Sequence, residues 1–176
     1  GSVTLPESCL RPLKGDAGKR KVALLVGVNK YQSPTIPWLS GPVNDVESMR
    51  LLLVKQYEFP EENICVLTDG QAKMADLKAA FEQSLTARLA KDDSVVIFFA
   101  GHGSQQRDHD GDEDDGLDET WVLHDSRFEG KPDLVDDVIE QLLARLYAKT
   151  DQITLILDSC NSASAYRVAP PPPGPG

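Results

Sequence analysis

Residues 153–160 read Ile-Thr-Leu-Ile-Leu-Asp-Ser-Cys, a mainly apolar, β-branched run that stops on polar side chains. A short run of this kind is the pattern of a strand buried in a parallel sheet, delivering its last side chains to the sheet edge. A second run of the same build, Ser94 to Gly103, ends in Ala-Gly-His-Gly. The carboxyl ends of strands in open α/β sheets are where ligands bind. Two such strands side by side would therefore present the thiol of Cys160 and the imidazole of His102 on one rim.

That pairing has a chemical meaning. A free thiol is mostly protonated at neutral pH and becomes a nucleophile when a neighbouring base takes its proton. His102 could be that base, and the flanking Gly101 and Gly103 let a ligand approach the backbone closely. Taken singly, a cysteine is more often a small buried hydrophobe and a histidine more often a structural residue.

The strand-like runs alternate with helical periodicity. Lys21–Val28 reads as a first strand. Asn44–Gln56 reads as a helix with Val46, Met49, Leu53 and Val54 on one face and a capping box from Asn44 to Glu47. Ile64–Leu67 is a short strand in which Cys65 reads as core. Met74, Leu77, Phe81, Leu85 and Leu89 mark one amphipathic helix ahead of the His102 run. Val135, Val138, Leu142 and Leu146 mark another, entered at Asp133 behind Pro132. Strands alternating with helices predict an α/β fold, a mainly parallel sheet with helices on both faces.

The length suits a single core domain, expected over residues 21–166, with an N-terminal tail or strap over 1–20 and a Pro-rich C-terminal linker over 167–176. A formal charge of -10 argues against nucleic acid and anionic membranes as partners and favours basic partners or cations. Cys9, Cys65 and Cys160 are widely spaced and odd in number, which reads as no disulfide framework and suits a reducing compartment. No apolar run reaches the length of a membrane span and no signal-peptide core is visible, so a cytoplasmic location is expected.

The most biased segment lies between His102 and Thr120: Asp108, Asp110, Asp112, Glu113, Asp114, Asp115, Asp118 and Glu119. It reads equally as a solvated acidic loop or as a hard-cation site. A helix-loop-helix calcium loop is excluded, because Glu113 stands where that loop needs glycine.

Several motifs carry a family resemblance. Ala-Gly-His-Gly-Ser (Ala100–Ser104) and Asp-Ser-Cys-Asn-Ser (Asp158–Ser162) resemble the His and Cys motifs of metacaspases, caspase-like cysteine peptidases. Val-Gly-Val-Asn-Lys-Tyr (Val26–Tyr31), Asn44–Val46, Asp115–Thr120 and Val135–Asp137 match in the same order. The caspases proper carry a Gln-Ala-Cys context instead.

The resemblance implies a caspase-like three-layer αβα sandwich that lacks the small-subunit strands. It implies a Cys160–His102 dyad, with the backbone N–H groups of Gly103 and Cys160 holding the oxyanion. Asp45 and Asp158 would hold an Arg or Lys side chain on the amino side of the cleaved bond. Pro42 and Ala100 would stand in the pocket wall, where relatives often have Cys and Ser. Asp118, Asp136 and Asp137 would bind an activating calcium; Arg167 stands near the position of a further acidic ligand in the family. Asn161 and Ala163 replace the usual His and Gly after the nucleophile. The missing small subunit predicts an uncovered sheet edge beside the Cys160 strand, to be met by a separate small subunit or a dimer mate.

Three readings follow. The first is a cysteine endopeptidase cleaving protein or peptide substrates after Arg or Lys. The second is a non-catalytic caspase-like interaction module. The third, a doubly wound redox or phosphate-binding domain, ranks last because no glycine-rich phosphate loop follows the first strand.

Overall fold

The structure is a computed structural model, and it describes residues 3–107, 117–159 and 165–168. Its five-stranded sheet comprises β1 (Lys21–Gly27), β2 (Ile64–Thr68), β3 (Ser94–Gly101), β7 (Gln152–Ser159) and β8 (Ala165–Val168), in the order β2-β1-β3-β7-β8. The first four run parallel, and β8 is antiparallel to β7. The mainly parallel α/β architecture is the one expected from the strand-helix alternation.

The apolar runs alternate strictly between two faces of the sheet. Val22, Leu24, Val26, Val95, Ile97, Phe99, Ile153, Leu155 and Leu157 join one buried cluster. Ala23, Leu25, Phe98 and Ala100 join the other, under Val46 and Leu53 of helix α1 (Pro42–Gln56). The first face is covered by α2 (Met74–Ala79), by the π-helical run Ala80–Thr86 that continues it, and by α3 (Asp136–Tyr147).

Helix α1 starts two residues earlier than the periodicity suggested. Pro42 is its first residue, a position that suits the fixed φ of proline and its missing N–H. The expected capping box does not form: the N–H of Val43 donates to Asn29 Oδ1 at 3.1 Å, so the cap comes from the loop after β1. The third helix likewise begins at Asp136 rather than Asp133. Asp133 is buried and accepts from Thr120 Oγ1 at 2.9 Å and from Arg127 at 2.8 Å.

A small antiparallel sheet, β4 (Gly103–Arg107), β5 (Leu117–Trp121) and β6 (Leu134–Val135), stands beyond the His102 strand. Sequence periodicity had shown only an acidic loop there. Trp121 anchors it, stacking on Phe99 with ring centroids 4.7 Å apart.

Two expectations are overturned. Cys9 and Cys65 form a disulfide, which removes the ground for expecting a reducing compartment; Cys65 is nonetheless core, as expected. Cysteines far apart in sequence gave no framework pattern, yet folding lays residues 3–20 across the body beside β2. The edge of β7 is not uncovered either, since β8 pairs with it through Thr154↔Val168 to Leu157↔Ala165. Among the described residues no helix is long and apolar enough to cross a membrane.

Candidate active site

The parallel register of β3 and β7 ends with Ala100↔Asp158 and Gly101↔Ser159. His102 follows the first strand and Cys160 follows the second. Cys160, Asn161 and Ala163 lie outside the described residues.

His102 is held from two sides. Its backbone N–H donates to the hydroxyl of Tyr31 at 2.9 Å, and that hydroxyl donates to the Val28 carbonyl at 3.2 Å. The two rings lie 5.2 Å apart. Its Nε2 is 2.9 Å from the carbonyl oxygen of Pro37. A carbonyl only accepts, so Nε2 carries the proton and Nδ1 keeps the lone pair. The ring is thus set in the tautomer of a base at Nδ1. Pro37 and Tyr31 both come from the segment after β1. Tyr31 lies within a motif noted in the sequence, but a main-chain carbonyl leaves no side-chain signal.

Gly103 starts β4 against the end of β7. A Cβ there would lie 2.8 Å from Ser159 Oγ and 3.1 Å from Ser159 Cβ, so only glycine lets the two strand ends approach this closely. The residue before Cys160 and the residue after His102 are therefore in contact distance.

Asp158 projects to the α1 face, level with Ala100, and meets Asp45 from the first turn of α1. Partial burial of the Asp45 carboxyl, followed by its hydrogen bond to Asp158 and the repulsion between the two charges, holds its pKa above the ordinary carboxylate value. Two carboxyl groups this close at a strand end suit a cation placed between them. Gly27 permits this closeness: a Cβ on it would lie 2.6 Å from Val46 Cγ2 and 3.0 Å from the Pro42 carbonyl. Ala100 is fully buried and Pro42 is buried, so both form the packed floor behind the carboxylate pair.

Asp136 and Asp137 occupy the first turn of α3. The β5–β6 ladder ends at Thr120↔Val135, and α3 begins at the next residue, so Asp136 and Asp137 follow directly on the strand paired with β5. The side chain of Asp118 lies outside the described residues; three carboxylates together would make an all-oxygen set that fits a hard divalent cation. Among the described residues no group of three candidate ligands is assembled.

Comparison with known proteins agrees with these motifs. The metacaspase, peptidase C14 domain matches residues 21–169. Metacaspase-3 of Arabidopsis thaliana is 37% identical over 88% of this chain and 43% of its own length. Metacaspase-1 of Eremothecium gossypii is 36% identical over 84% of this chain and 33% of its own length. The chain thus spans less than half the length of these relatives. Among solved structures, protein GSU0716 from Geobacter sulfurreducens superposes with a TM-score of 0.60 at 27% identity, covering 80% of this chain and 50% of that one. On sequence, register and fold together, the chain belongs to the metacaspases.

Proposed function

We propose that this chain is the large catalytic part of a cysteine endopeptidase that cleaves after Arg or Lys. The observation that carries the reading is the β3–β7 register, which runs to the residues immediately before His102 and Cys160, combined with a His102 ring whose Nδ1 is the basic nitrogen. In the reaction, Nδ1 takes the thiol proton and the sulfur attacks the carbonyl carbon of the substrate. The carbonyl electron pair moves to oxygen, where the N–H groups of Gly103 and Cys160 would receive it. On collapse the C–N bond breaks and the imidazolium gives its proton to the leaving amine. Water then hydrolyses the thioester and restores the thiol.

The Asp45–Asp158 pair supports a basic residue on the amino side of the cleaved bond, because a guanidinium exchanges carboxylate repulsion for charge-assisted hydrogen bonds. Asp118, Asp136 and Asp137 would hold calcium as an activator, whose charge would fix the β5–α3 junction. A partner is supported by the α1 face of β7, where Thr154 and Ile156 remain half-buried, and by the shortness of β8. A small subunit or a second copy would fill that side. A cytoplasmic location is proposed from the sequence, and the Cys9–Cys65 disulfide weighs against it.

Labelling with a peptide carrying Arg before a thiol-reactive warhead, with and without calcium, tests this. The wild type should be labelled at Cys160, and Cys160→Ala should abolish labelling and turnover. Label on neither protein, in either condition and with a partner subunit added, would favour the interaction-module reading.

A further inference from the structure

A pocket of about 170 Å³ opens beside His102, lined by Ile36 and Pro37 from the loop after β1, by Ser104, and by Val122 and Arg127 beyond β5. Ile36 and Val122 belong to the core cluster on the α2 and α3 face of the main sheet, whereas Ala100 and the Asp45–Asp158 pair face α1. His102 stands between the two sites. Its proton goes to the leaving amine, so the residue carrying that amine lies against the imidazole, on the side away from Asp45 and Asp158.

Arg127 gives this second pocket a chemical preference. Its Nε and Nη2 grip the two oxygens of Asp133 at 3.2 and 2.8 Å. Asp133 is buried and further fixed by Thr120, so the guanidinium plane is locked in place. Nη1 has no partner among the described residues, and the side chain is 43% exposed. The backbone of Arg127 adds an independent sign. Its φ is +61°, held by the N–H of Arg127 donating to the Lys131 carbonyl at 2.7 Å. A long side chain in the left-handed region is uncommon, and such strain concentrates at functional sites. A preorganised guanidinium edge above an apolar wall suits a short carboxylate with one or two methylenes.

We infer that this pocket is the leaving-side subsite of the peptidase, and that Arg127 selects substrates with Asp or Glu immediately after the cleaved bond. The inference rests on the peptidase reading above for the direction in which substrate lies. Together with the Asp45–Asp158 pair it defines a substrate with a basic residue followed by an acidic one, the order in which adjacent side chains of opposite charge meet complementary walls.

The test uses C-terminally amidated peptides with one Arg, followed by Glu, Gln or Lys. Comparing Glu with its isosteric amide inside one preparation makes the ratio independent of how much enzyme is folded. The wild type should prefer Glu over Gln by about tenfold in kcat/KM, the value of one charge-assisted hydrogen bond. The double variant Arg127→Gln with Asp133→Asn, which leaves no orphan charge, should bring that ratio close to one. Ser104→Glu, which leaves the Arg127–Asp133 pair intact, should reverse the preference towards Lys. A ratio near one in the wild type, or a ratio unchanged by both variants, overturns the subsite. In parallel, an amidated peptide beginning with Glu, the leaving product, is titrated against the protein with its Gln counterpart by calorimetry. If no peptide is cleaved, with calcium and a partner subunit present, the peptidase reading fails by itself. Equal binding of the Glu and Gln products would then overturn the pocket separately.

Discussion

At the scale of single residues, the site depends on close approaches that tolerate few alternatives. Gly103 is one, because any side chain meets Ser159 within 3.1 Å. Gly103→Ala should reduce the rate of Cys160 labelling far more than it lowers stability, for which overpacking predicts about 1–3 kcal/mol. Denaturant unfolding and labelling on the same samples separate the two. Equal labelling of both proteins would show that the strand ends need not touch. The Asp45–Asp158 pair makes a second prediction, in pH. The raised Asp45 carboxyl keeps a proton in the folded chain that the unfolded chain has already released. Its contribution to stability is full below the unfolded carboxyl's pKa and is lost as pH rises through the folded value. Binding of an Arg peptide runs the opposite way and should strengthen over that window, as Asp45 ionises. Asp158→Asn removes the hydrogen-bonded carboxylate and should move this rise to lower pH. Calorimetric titrations between about pH 4 and pH 7 check it; coincident curves for the two proteins would exclude Asp158 as the cause.

At the scale of elements, residues 3–20 are held by side chains scattered through the sequence. Cys9 is joined to Cys65 on β2. Asn63 pairs with both the N–H and the carbonyl of Lys14 at 2.8 and 2.9 Å. Asp93, fully buried ahead of β3, accepts from Gly18 N–H at 2.7 Å, from Arg20 Nε at 3.1 Å and from Ala90 N–H at 2.8 Å. Closing a loop with a sequence separation of 56 predicts about 4 kcal/mol of stabilisation on a chain-entropy account. Cys9→Ala should therefore lower the unfolding free energy by an amount of this order. Asp93→Ala should cost about 3 kcal/mol or more, since it strands several buried donors. Both are read from denaturant melts under non-reducing conditions. An unchanged midpoint in Cys9→Ala would show that the hydrogen bonds alone hold the segment. The contrast with the strands is physical: an apolar run announces its burial, whereas a strap is fixed by partners its own sequence does not name.

At the scale of the whole molecule, His102 stands between two chemically distinct sides, the Asp45–Asp158 pair of the main sheet and α1, and the Asp133-held guanidinium of Arg127 beyond β5 of the second sheet. Calcium, if bound at Asp118, Asp136 and Asp137, would act on the β5–α3 side of this arrangement. Millimolar calcium should raise the melting temperature by mass-action linkage, and Asp136→Asn with Asp137→Asn should abolish the rise in differential scanning calorimetry. A rise of equal size in that double variant would move the site elsewhere. The amino-acid sequence alone determined the parallel sheet, because strand burial is written in local runs such as 94–101 and 153–159. It also set His102 and Cys160 each at the end of such a run in a recognisable motif, which is the ground on which their pairing is proposed. Tertiary structure alone decided the start of α1, where Asn29 reaches across to cap Val43, and the second sheet, which forms because Trp121 stacks on Phe99. It alone decided the Cys9–Cys65 bond, the β8 edge, the tautomer of His102 and the pocket at Arg127. Each of these depends on a partner distant in the chain or on a main-chain atom, and neither leaves a periodic trace in the residues themselves.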